Sequence, residues 1–456
     1  SIGRVYEEAR KAHRGILDGA GQMQAQAFEA LVSQNKEAAV TVWNSLSFDR
    51  KALVELPEAF IRGARTLEGE PVAVQQAEGR VKALVTVPSC GAVSLIPTDG
   101  DGILTAAVSV GECQGVFVLE NSQVRAAVDR RGEITSFVLK ESGREFAAKP
   151  MNRLHLYKDV PRRYDAWDID SNYPEQEVEA LKEVSVEVAA EGLEGVLKVS
   201  GRISGSDFVQ YIRLAADSRR IEFETRIDWR ELHRLLKVAF PVNVYAENAI
   251  NEIQFGYLER PAHRSRLYDR DRFEVCNHRY SAFCDGAHGA AVLNDCKYGV
   301  SMNDNALELT LLRASASPEM RADNEVHWFT YAFTAWEGGF ADCDAVRQGY
   351  ELNVKPPVTA GAVERFSAVT VDKENVILET MKPAEDRSGD IILRLYESRK
   401  AAVEARVCLK LGACRAYLCD MLENITEELP VADESVVLPF RAFEIKTVRI
   451  TLLCRD

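Results

Sequence analysis

Several features that mark common catalytic and membrane protein classes are missing from this 456-residue chain. No run approaches the roughly 18 apolar residues that a membrane-spanning helix needs. There is no Gly-rich phosphate loop, no Gly-x-Ser-x-Gly elbow and no His-Glu-x-x-His. These absences argue against hydride transfer, nucleotide chemistry and zinc proteolysis. The ten cysteines include no Cys-x-x-Cys pair, which argues against a zinc ribbon or a redox motif.

Positive charge is also scarce, with 56 Lys and Arg against 70 Asp and Glu and a net charge of −14. Nucleic acid and anionic membranes are therefore poor partners. The first eight residues lack the apolar core of a signal peptide, and there is no initiator methionine. We therefore expect the sequence to begin inside a longer protein. Scattered, unpaired cysteines are typical of a reduced, cytosolic protein, so a cytoplasmic location is expected.

The spacing of apolar residues divides the chain into four regions. Residues 1–35 have a helical period that breaks at Gly19-Ala20-Gly21, which predicts a helical hairpin with incompletely covered apolar faces. After it the period changes to two. Turn clusters then predict a small β-domain over 36–112, a large antiparallel β-sandwich over 113–357 and a C-terminal β-domain over 358–456.

The chain is therefore predicted to be mainly β. In the large region, Ile221, Phe223, Thr225 and Ile227 alternate with charged residues, as expected for a strand that buries one face. No helical pattern of any length interrupts residues 113–355. So many strands in one region favour a sandwich of two packed sheets.

The stretch Tyr164-Asp165-Ala166-Trp167-Asp168-Ile169-Asp170 combines three carboxylates with a tryptophan. It has neither a helical nor a strand period, and Pro161 and Pro174 bracket it, so we predict an ordered loop. A sugar ring packs its C–H face on an indole, while carboxylates accept hydrogen bonds from the hydroxyls. The alternative is a capped turn around a buried tryptophan.

Other residues that could support chemistry are scattered. Arg313 follows a buried run and supplies a donor, although a strand-end ion pair is the alternative. The histidines of the large β-region match no metal-ligand template. An aldose-epimerase-like enzyme would need a histidine and a carboxylate in one cleft. The candidates for that pair are His263 or His327 with Asp269 or Asp323.

Eight stretches, in order along the chain, resemble the C-terminal two-thirds of a glycoside hydrolase family 38 α-mannosidase of the cytosolic and bacterial branch. They are Ser1-Ile2-Gly3-Arg4-Val5-Tyr6-Glu7-Glu8-Ala9, Val42-Trp43-Asn44-Ser45-Leu46-Ser47-Phe48, Tyr164-Asp165-Ala166-Trp167-Asp168-Ile169, Leu235-Leu236-Lys237-Val238-Ala239-Phe240-Pro241, Gln254-Phe255-Gly256, Asn294-Asp295-Cys296-Lys297-Tyr298-Gly299, Leu311-Leu312-Arg313 and Phe443-Glu444-Ile445-Lys446-Thr447.

The resemblance implies an N-terminal α/β barrel, a three-helix bundle and C-terminal β-domains, one of them a galactose-mutarotase-like β-supersandwich. The barrel of such enzymes carries the aspartate nucleophile and a divalent metal, usually zinc. This chain begins after the last metal ligand, so residues 1–35 are expected to be a remnant of the bundle. We expect the chain to bind no metal or cofactor and to be inactive alone. Trp167 and Arg313 match family positions that face the substrate.

The resemblance thus implies the C-terminal region of a retaining α-mannosidase that hydrolyses terminal α-mannosyl linkages in oligosaccharides. This chain would form one wall of the cleft, with Asp165, Trp167, Asp168 and Arg313 contacting the substrate. Its expected partners are the catalytic barrel of the same protein and a mannose-containing oligosaccharide, and a homo-oligomer is left open. The alternatives are a stand-alone sugar-binding or interaction module, which would bind mannose without a barrel, and the aldose-epimerase-like enzyme.

Overall fold

A computed structural model describes residues 2–33, 38–100 and 107–452. They form a mainly β protein with large antiparallel sheets, which confirms the predicted fold class. The predicted boundary at 35/36 lies outside these residues. The described residues divide into two compact units. The larger takes in those that fall within Ser1–Ala30, Leu104–Glu252 and Leu258–Asn353, and the smaller takes in those within Leu31–Ile103, Ile253–Tyr257 and Val354–Asp456.

Helix α1 (Ile2–Leu31) is continuous, so the predicted helical hairpin is wrong. Glycine in a helix interior costs only about 1 kcal/mol relative to alanine, so Gly19 and Gly21 weaken the helix without ending it. The amide of Gly3 donates to Glu319 at 3.1 Å, which ties the first turn to the large unit. The large apolar side chains exposed along α1 are Val5, Tyr6, Ile16, Leu17, Met23 and Leu31. No helix among the described residues is long and apolar enough to cross a lipid bilayer.

The first sheet belongs to the smaller unit. Its early strands are β1 (Val40–Asn44), β2 (Arg50–Leu56), β3 (Ala64–Thr66), β4 (Pro71–Ala77), β5 (Arg80–Val87) and β6 (Gly91–Pro97). The next strands form a five-stranded sheet in the larger unit. They are β7 (Ser109–Cys113), β8 (Val116–Glu120), β9 (Val124–Val128), β10 (Ile134–Leu139) and β11 (Arg144–Glu145).

Fifteen further strands complete the larger unit's described part. They are β12 (Arg153–Lys158), β13 (Glu177–Val178), β14 (Leu181–Ala190), β15 (Glu194–Ile203), β16 (Ser206–Ala215), β17 (Ile221–Asp228), β18 (Arg234–Pro241), β19 (Asn248–Ile253), β20 (Gly256–Pro261), β21 (Val275–Cys276), β22 (Tyr280–Cys284), β23 (His288–Asn294), β24 (Gly299–Asn303), β25 (Ala306–Arg313) and β26 (Val326–Glu337). One sheet has the order β13-β12-β18-β25-β24-β21, and the other has the order β14-β15-β16-β17-β26-β23-β22-β19-β20.

Aromatic side chains fill the space between these sheets. Phe240 from the six-stranded sheet stacks on Phe333 from the nine-stranded sheet, with ring centroids 5.5 Å apart. Phe223 stacks on Tyr331 at 5.0 Å. From the five-stranded sheet, Phe137 meets Phe333 edge-on at 5.0 Å. Alternate residues of β17 are buried, as predicted. Because side chains alternate between the two faces of a strand, this pattern places Phe223 and the other buried residues of β17 on the core face.

The helix α3 (Ala345–Asn353) lies where no helical pattern is visible, and this corrects that expectation. It is only nine residues long, shorter than the window in which helical periodicity is measurable. Tertiary contacts stabilise it instead. The guanidinium of Arg279 lies over the Tyr350 ring at 3.6 Å, and Arg279 is itself paired with the buried Glu252. A shorter helix, α2 (Leu267–Arg270), occupies the connection after β20.

The remaining strands belong to the smaller unit. They are β27 (Val358–Ala360), β28 (Phe366–Ser367), β29 (Val369–Val371), β30 (Val376–Pro383), β31 (Ile391–Glu397), β32 (Val403–Leu409), β33 (Ala413–Cys419), β34 (Ile425–Leu429), β35 (Ser435–Phe440) and β36 (Ile445–Leu452). The strands after β28 form sheets with the orders β29-β32-β35 and β30-β31-β36-β33-β34. Their inward apolar residues form one common core.

Strand pairing crosses the predicted domain boundaries in two places. β7 pairs along its length with β8, so residues 109–112 join the large unit's sheet rather than the small β-domain. β27 and β28 pair with β1 and β6, so residues 358–367 complete the first sheet. The remaining predicted boundary, at 35/36, stays a prediction.

We expect Gly19→Ala to stabilise α1 by about 0.5–1 kcal/mol, because alanine reduces the entropy lost on helix formation. Among the described residues, no atom outside the local helix backbone lies within 4 Å of the Cβ that the substitution adds. Hydrogen exchange of the neighbouring helix amides should slow by up to about fivefold. The control is Gly91→Ala, whose Cβ would lie 2.0 Å from the Phe366 carbonyl oxygen and should lower the Tm. Faster exchange in the Gly19 variant would contradict a continuous helix.

Candidate functional site

The predicted loop is the connection between β12 and β13. These two strands pair with each other, Tyr157 opposite Glu177, so residues 159–176 leave the sheet and return to the same strand pair. Ile169 and Tyr173 of this 159–176 loop turn inward and pack in an apolar cluster with Tyr157. The loop therefore has its own small core and an outward side.

A tight turn at the centre of the loop directs its tryptophan outward. The Tyr164 carbonyl accepts hydrogen bonds from the backbone amides of Trp167 at 2.7 Å and Asp168 at 2.9 Å. The side chain of Asp170 accepts from the Arg162 amide at 3.0 Å. Trp167 is 71% exposed. The alternative of a turn around a buried tryptophan is therefore wrong.

Arg313, the last residue of β25, holds the root of the loop. Its Nε and one terminal nitrogen contact Asp159 Oδ2 at 2.8 and 2.7 Å. The same terminal nitrogen donates to the carbonyls of Asp165 at 3.1 Å and Asp168 at 2.7 Å. The other terminal nitrogen reaches the Ala166 carbonyl at 3.5 Å. The expected proximity of Arg313 to the loop is confirmed, and most of its donors serve to position that loop.

Asp159 is the buried partner in this arrangement. It is 3% exposed, and burial raises the pKa of its carboxyl, an effect that the adjacent Arg313 guanidinium partly offsets. The Asp159 amide donates to the His233 carbonyl at 3.0 Å, which fixes the backbone where β12 ends. Removal of Arg313 would leave a buried carboxylate without its cation, and such losses are strongly destabilising.

Asp165 points back into the protein rather than outward. Its Oδ2 accepts hydrogen bonds from the amides of Ala316 at 2.7 Å and Ser317 at 2.9 Å, and lies 3.2 Å from His233 Nε2. Burial acts to raise the pKa of Asp165, but the hydrogen bonds from Ala316, His233 and Ser317 outweigh it, so the pKa is lowered. Its Oδ1 makes no hydrogen bond within the described residues. This geometry favours a loop-holding role, and substrate contact by Asp165 stays a prediction.

Asp168 and Trp167 form the exposed tip. Asp168 is exposed, and its Oδ1 accepts from the Ile169 amide at 3.1 Å. The carboxylate therefore lies beside an indole that is open to solvent. This pair could stack a pyranose ring and accept hydrogen bonds from its hydroxyls.

A second anchor fixes the far end of the loop. The Tyr173 hydroxyl donates to Glu274 Oε1 at 2.8 Å, and Thr310 donates to Glu274 Oε2 at 3.2 Å. Glu274 also pairs with Lys237, whose side chain is fully buried and donates to Ser301 at 2.9 Å. Burial, with the Glu274 charge second, raises the pKa of Tyr173, so the hydroxyl stays a proton donor. The exposed tip is therefore presented by a loop that is fixed at both ends.

Sequence reasoning assigned no role to Asp159, His233, Lys237 or Glu274. One signal was available: Lys237 interrupts the apolar run of β18, where a lysine must find a partner when the strand is buried. Asp159 carries no comparable signal, because it comes from a chain region 154 residues before its partner. Such long-range pairing is set only by the fold.

The histidine pairs are held in structural contacts. His263 Nδ1 lies 3.8 Å from Asp269 Oδ2, but Arg266 already binds both oxygens of that carboxylate, at 2.7 and 3.1 Å. His327 Nε2 lies 2.7 Å from the backbone carbonyl of Asp323. Within residues 2–33, 38–100 and 107–452, no group of three or more His, Cys, Asp and Glu side chains is placed to hold a metal ion.

The lowered pKa of Asp165 gives a test of the loop geometry. A carboxyl whose folded pKa lies below its ordinary value of about 3.9 stabilises the fold above that pH and loses this effect as the pH falls. We therefore expect Asp165→Asn to lower the free energy of unfolding by a constant amount at neutral pH. The difference from wild type should shrink below about pH 4. Denaturant unfolding at several pH values measures it, and a difference that grows on acidification would contradict the hydrogen bonds described.

Two family models match the chain. The glycosyl hydrolases family 38 C-terminal domain matches residues 119–321, which include the 159–176 loop and Arg313. The glycosyl hydrolases family 38 C-terminal beta sandwich domain matches residues 375–448. Both matches fall in regions where the sheets described above lie.

Comparison with individual proteins also finds alpha-mannosidases. The chain is 36% identical over 388 residues to human alpha-mannosidase 2C1, covering 81% of this chain and 37% of that protein. It is 28% identical to alpha-mannosidase G of Dictyostelium discoideum over 90% of this chain and 40% of that protein. An alpha-mannosidase structure from Enterococcus faecalis V583 shares the fold, with a TM-score of 0.74 and 13% identity, over 96% of this chain and 60% of that one. The chain thus spans less than half the length of these curated relatives, and it belongs to glycoside hydrolase family 38, whose C-terminal β-domains it carries.

Proposed function

We propose that this chain is the C-terminal region of a retaining α-mannosidase that hydrolyses terminal α-mannosyl linkages in oligosaccharides. In this proposal the 159–176 loop forms one wall of the active-site cleft. The observation that carries it is the 71% exposed indole of Trp167 at the tip of a loop fixed at both ends. An exposed aromatic ring on a loop whose backbone is already held can stack a sugar with less loss of conformational entropy.

The residues of this chain would bind and orient the sugar. Trp167 would pack against the C–H face of the ring, and Asp168 would accept from a hydroxyl. Arg313, Asp159 and Asp165 would act as positioning residues, because their polar atoms are used to hold the loop. A barrel of the same protein would supply the nucleophile, the acid/base carboxyl and the divalent metal, zinc, in a mechanism with a covalent glycosyl-enzyme.

The chain alone is then expected to be inactive on an aryl α-mannoside, with or without zinc. The cytoplasmic location remains part of the same proposal. A stand-alone sugar-binding module is the second candidate, and the exposure of Trp167 also favours it. Calorimetric titration of this chain with mannose separates the two. Binding in the micromolar range without the barrel would favour the module, and turnover by the purified chain would overturn the proposal of a wall without catalytic groups.

We expect Trp167→Ala to reduce kcat/KM of the full-length enzyme at least tenfold, about 1.4 kcal/mol of transition-state stabilisation. The same substitution should change the free energy of unfolding by only about 1 kcal/mol, because the indole is largely in water. Enzyme kinetics and denaturant unfolding give the two measurements.

The matched control is Trp229→Ala. Trp229 is fully buried, and its indole nitrogen donates to the Arg313 carbonyl at 3.0 Å. Loss of a buried tryptophan costs about 3–5 kcal/mol of stability. The proposal fails if the Trp167 variant is destabilised as strongly as the Trp229 variant while its activity per folded molecule is unchanged.

A further inference from the structure

A basic segment lies beside the loop in an otherwise acidic chain. Residues 260–272 contain five arginines and two aspartates, a net charge of +3, whereas the whole chain carries −14. We call residues 260–272 the arginine segment. It begins with the last two residues of β20, includes the short helix α2 and ends just before β21.

Some of these arginines are paired within the segment and others are not. Arg266 binds Asp269 through two hydrogen bonds, at 2.7 and 3.1 Å. Arg260 donates to the buried Asn251 at 2.8 Å. Among the described residues, no carboxylate lies within ion-pair distance of the three remaining arginines. They are Arg264, Arg270 and Arg272.

The unpaired Arg272 and the paired Arg266 share one partly exposed aromatic ring. Tyr268 is 48% exposed, and the guanidinium groups of Arg266 and Arg272 lie over its ring at 4.6 and 5.4 Å. These cation–π contacts reduce the freedom of both arginines. Asp271 lies between Arg270 and Arg272 in the sequence, and the net charge of +3 already counts its negative charge. Tyr268 therefore helps to hold Arg272, one of the three unpaired arginines, in place.

The arginine segment adjoins the second anchor of the 159–176 loop. Arg272 is followed directly by Phe273 and Glu274. The Phe273 ring lies 6.2 Å from that of Tyr173, and Glu274 accepts a hydrogen bond from the Tyr173 hydroxyl. Because consecutive Cα atoms are about 3.8 Å apart, the backbone of Arg272 lies close to Phe273, the first residue that contacts the loop. Glu274 is in turn bound by Lys237 and Thr310 of the six-stranded sheet, so the end of the arginine segment and the second anchor of the loop are held by the same sheet.

We propose that the arginine segment binds an anionic group of the oligosaccharide, a phosphate, sulfate or uronic carboxylate, while Trp167 stacks a neutral ring. This inference rests on the proposed function and names the substrate class of that same site. A guanidinium offers two parallel N–H donors to such a group. Arg270 and Arg272 are the residues that would select it.

The size and charge of the cluster favour a small anion over a polymer. Three unpaired cations match one or two negative charges, whereas a nucleic acid would be repelled by the chain's net charge of −14. An acidic polypeptide could use the same arginines together with the exposed Leu267. The arginine segment is followed directly by Phe273 and Glu274, which contact Tyr173 of the 159–176 loop. This position favours the oligosaccharide, so the polypeptide becomes an outcome of the test.

The test uses the full-length enzyme hydrolysing an aryl α-mannoside, with mannose and mannose 6-phosphate as competitive inhibitors. We expect mannose 6-phosphate to bind at least about tenfold more tightly than mannose at low salt, since charge-assisted bidentate hydrogen bonds are the strong ones. The advantage should fall as ionic strength rises. In Arg270→Gln/Arg272→Gln the ratio of the two inhibition constants should approach one.

The matched control is Arg62→Gln/Arg65→Gln, which removes two exposed arginines from the smaller unit and should leave the ratio unchanged. Equal inhibition by both sugars, or an advantage that persists in the Arg270/Arg272 variant, overturns the inference. Inhibition by inorganic phosphate as strong as that by mannose 6-phosphate overturns the link to a sugar. Binding of a glutamate-rich octapeptide, lost in the same variant without any sugar-phosphate advantage, makes the segment a protein-docking surface. If the full-length enzyme fails to hydrolyse the neutral aryl mannoside, that result contradicts the proposed function rather than this inference.

Discussion

A carboxylate that is almost completely removed from water needs a cation within contact distance, and Asp159 meets this requirement through Arg313. The cation that satisfies the carboxylate also carries the carbonyl groups of Asp165 and Asp168. One electrostatic requirement at the base of the loop therefore determines the path of the backbone above it. The Trp167 side chain makes none of these contacts, so the indole can be exposed while the backbone on both sides of it is held.

A buried lysine on the six-stranded sheet, Lys237, imposes a second electrostatic requirement. Lys237 has no access to solvent, and an isolated buried ammonium group is very costly. Glu274, Ser301 and the aromatic ring of Tyr173 at 5.5 Å surround it. Part of this environment comes from the loop itself, so the loop is a structural component of the sheet and not an appendage. Deleting it would expose a lysine placed for burial and remove the hydroxyl that donates to Glu274.

The sequence was most informative where one local rule decides the outcome. Alternation on β17 predicted which side chains enter the core, and the absence of any period between Pro161 and Pro174 predicted a loop. Local rules failed where distant contacts decide. Glycines at 19 and 21 suggested a break, but α1 runs through them, and α3 is too short to show a period. The choice of Asp159 as partner for Arg313 is likewise a property of strand order, which no local pattern contains.

The hairpin tip Ile253–Tyr257 belongs to the smaller unit, although the strands on either side of it belong mainly to the larger one. Phe255 packs on Tyr396 with ring centroids 5.4 Å apart, and Tyr257 packs on Phe443 at 4.9 Å. The ribosome makes this tip well before it makes either partner. During synthesis the Phe255 ring is therefore without its partner until 141 further residues have been made, and the Tyr257 ring until 186 have been made. The turn at Ile253–Tyr257 can therefore reach its final packing only after β31 and the residues just before β36 have been synthesised.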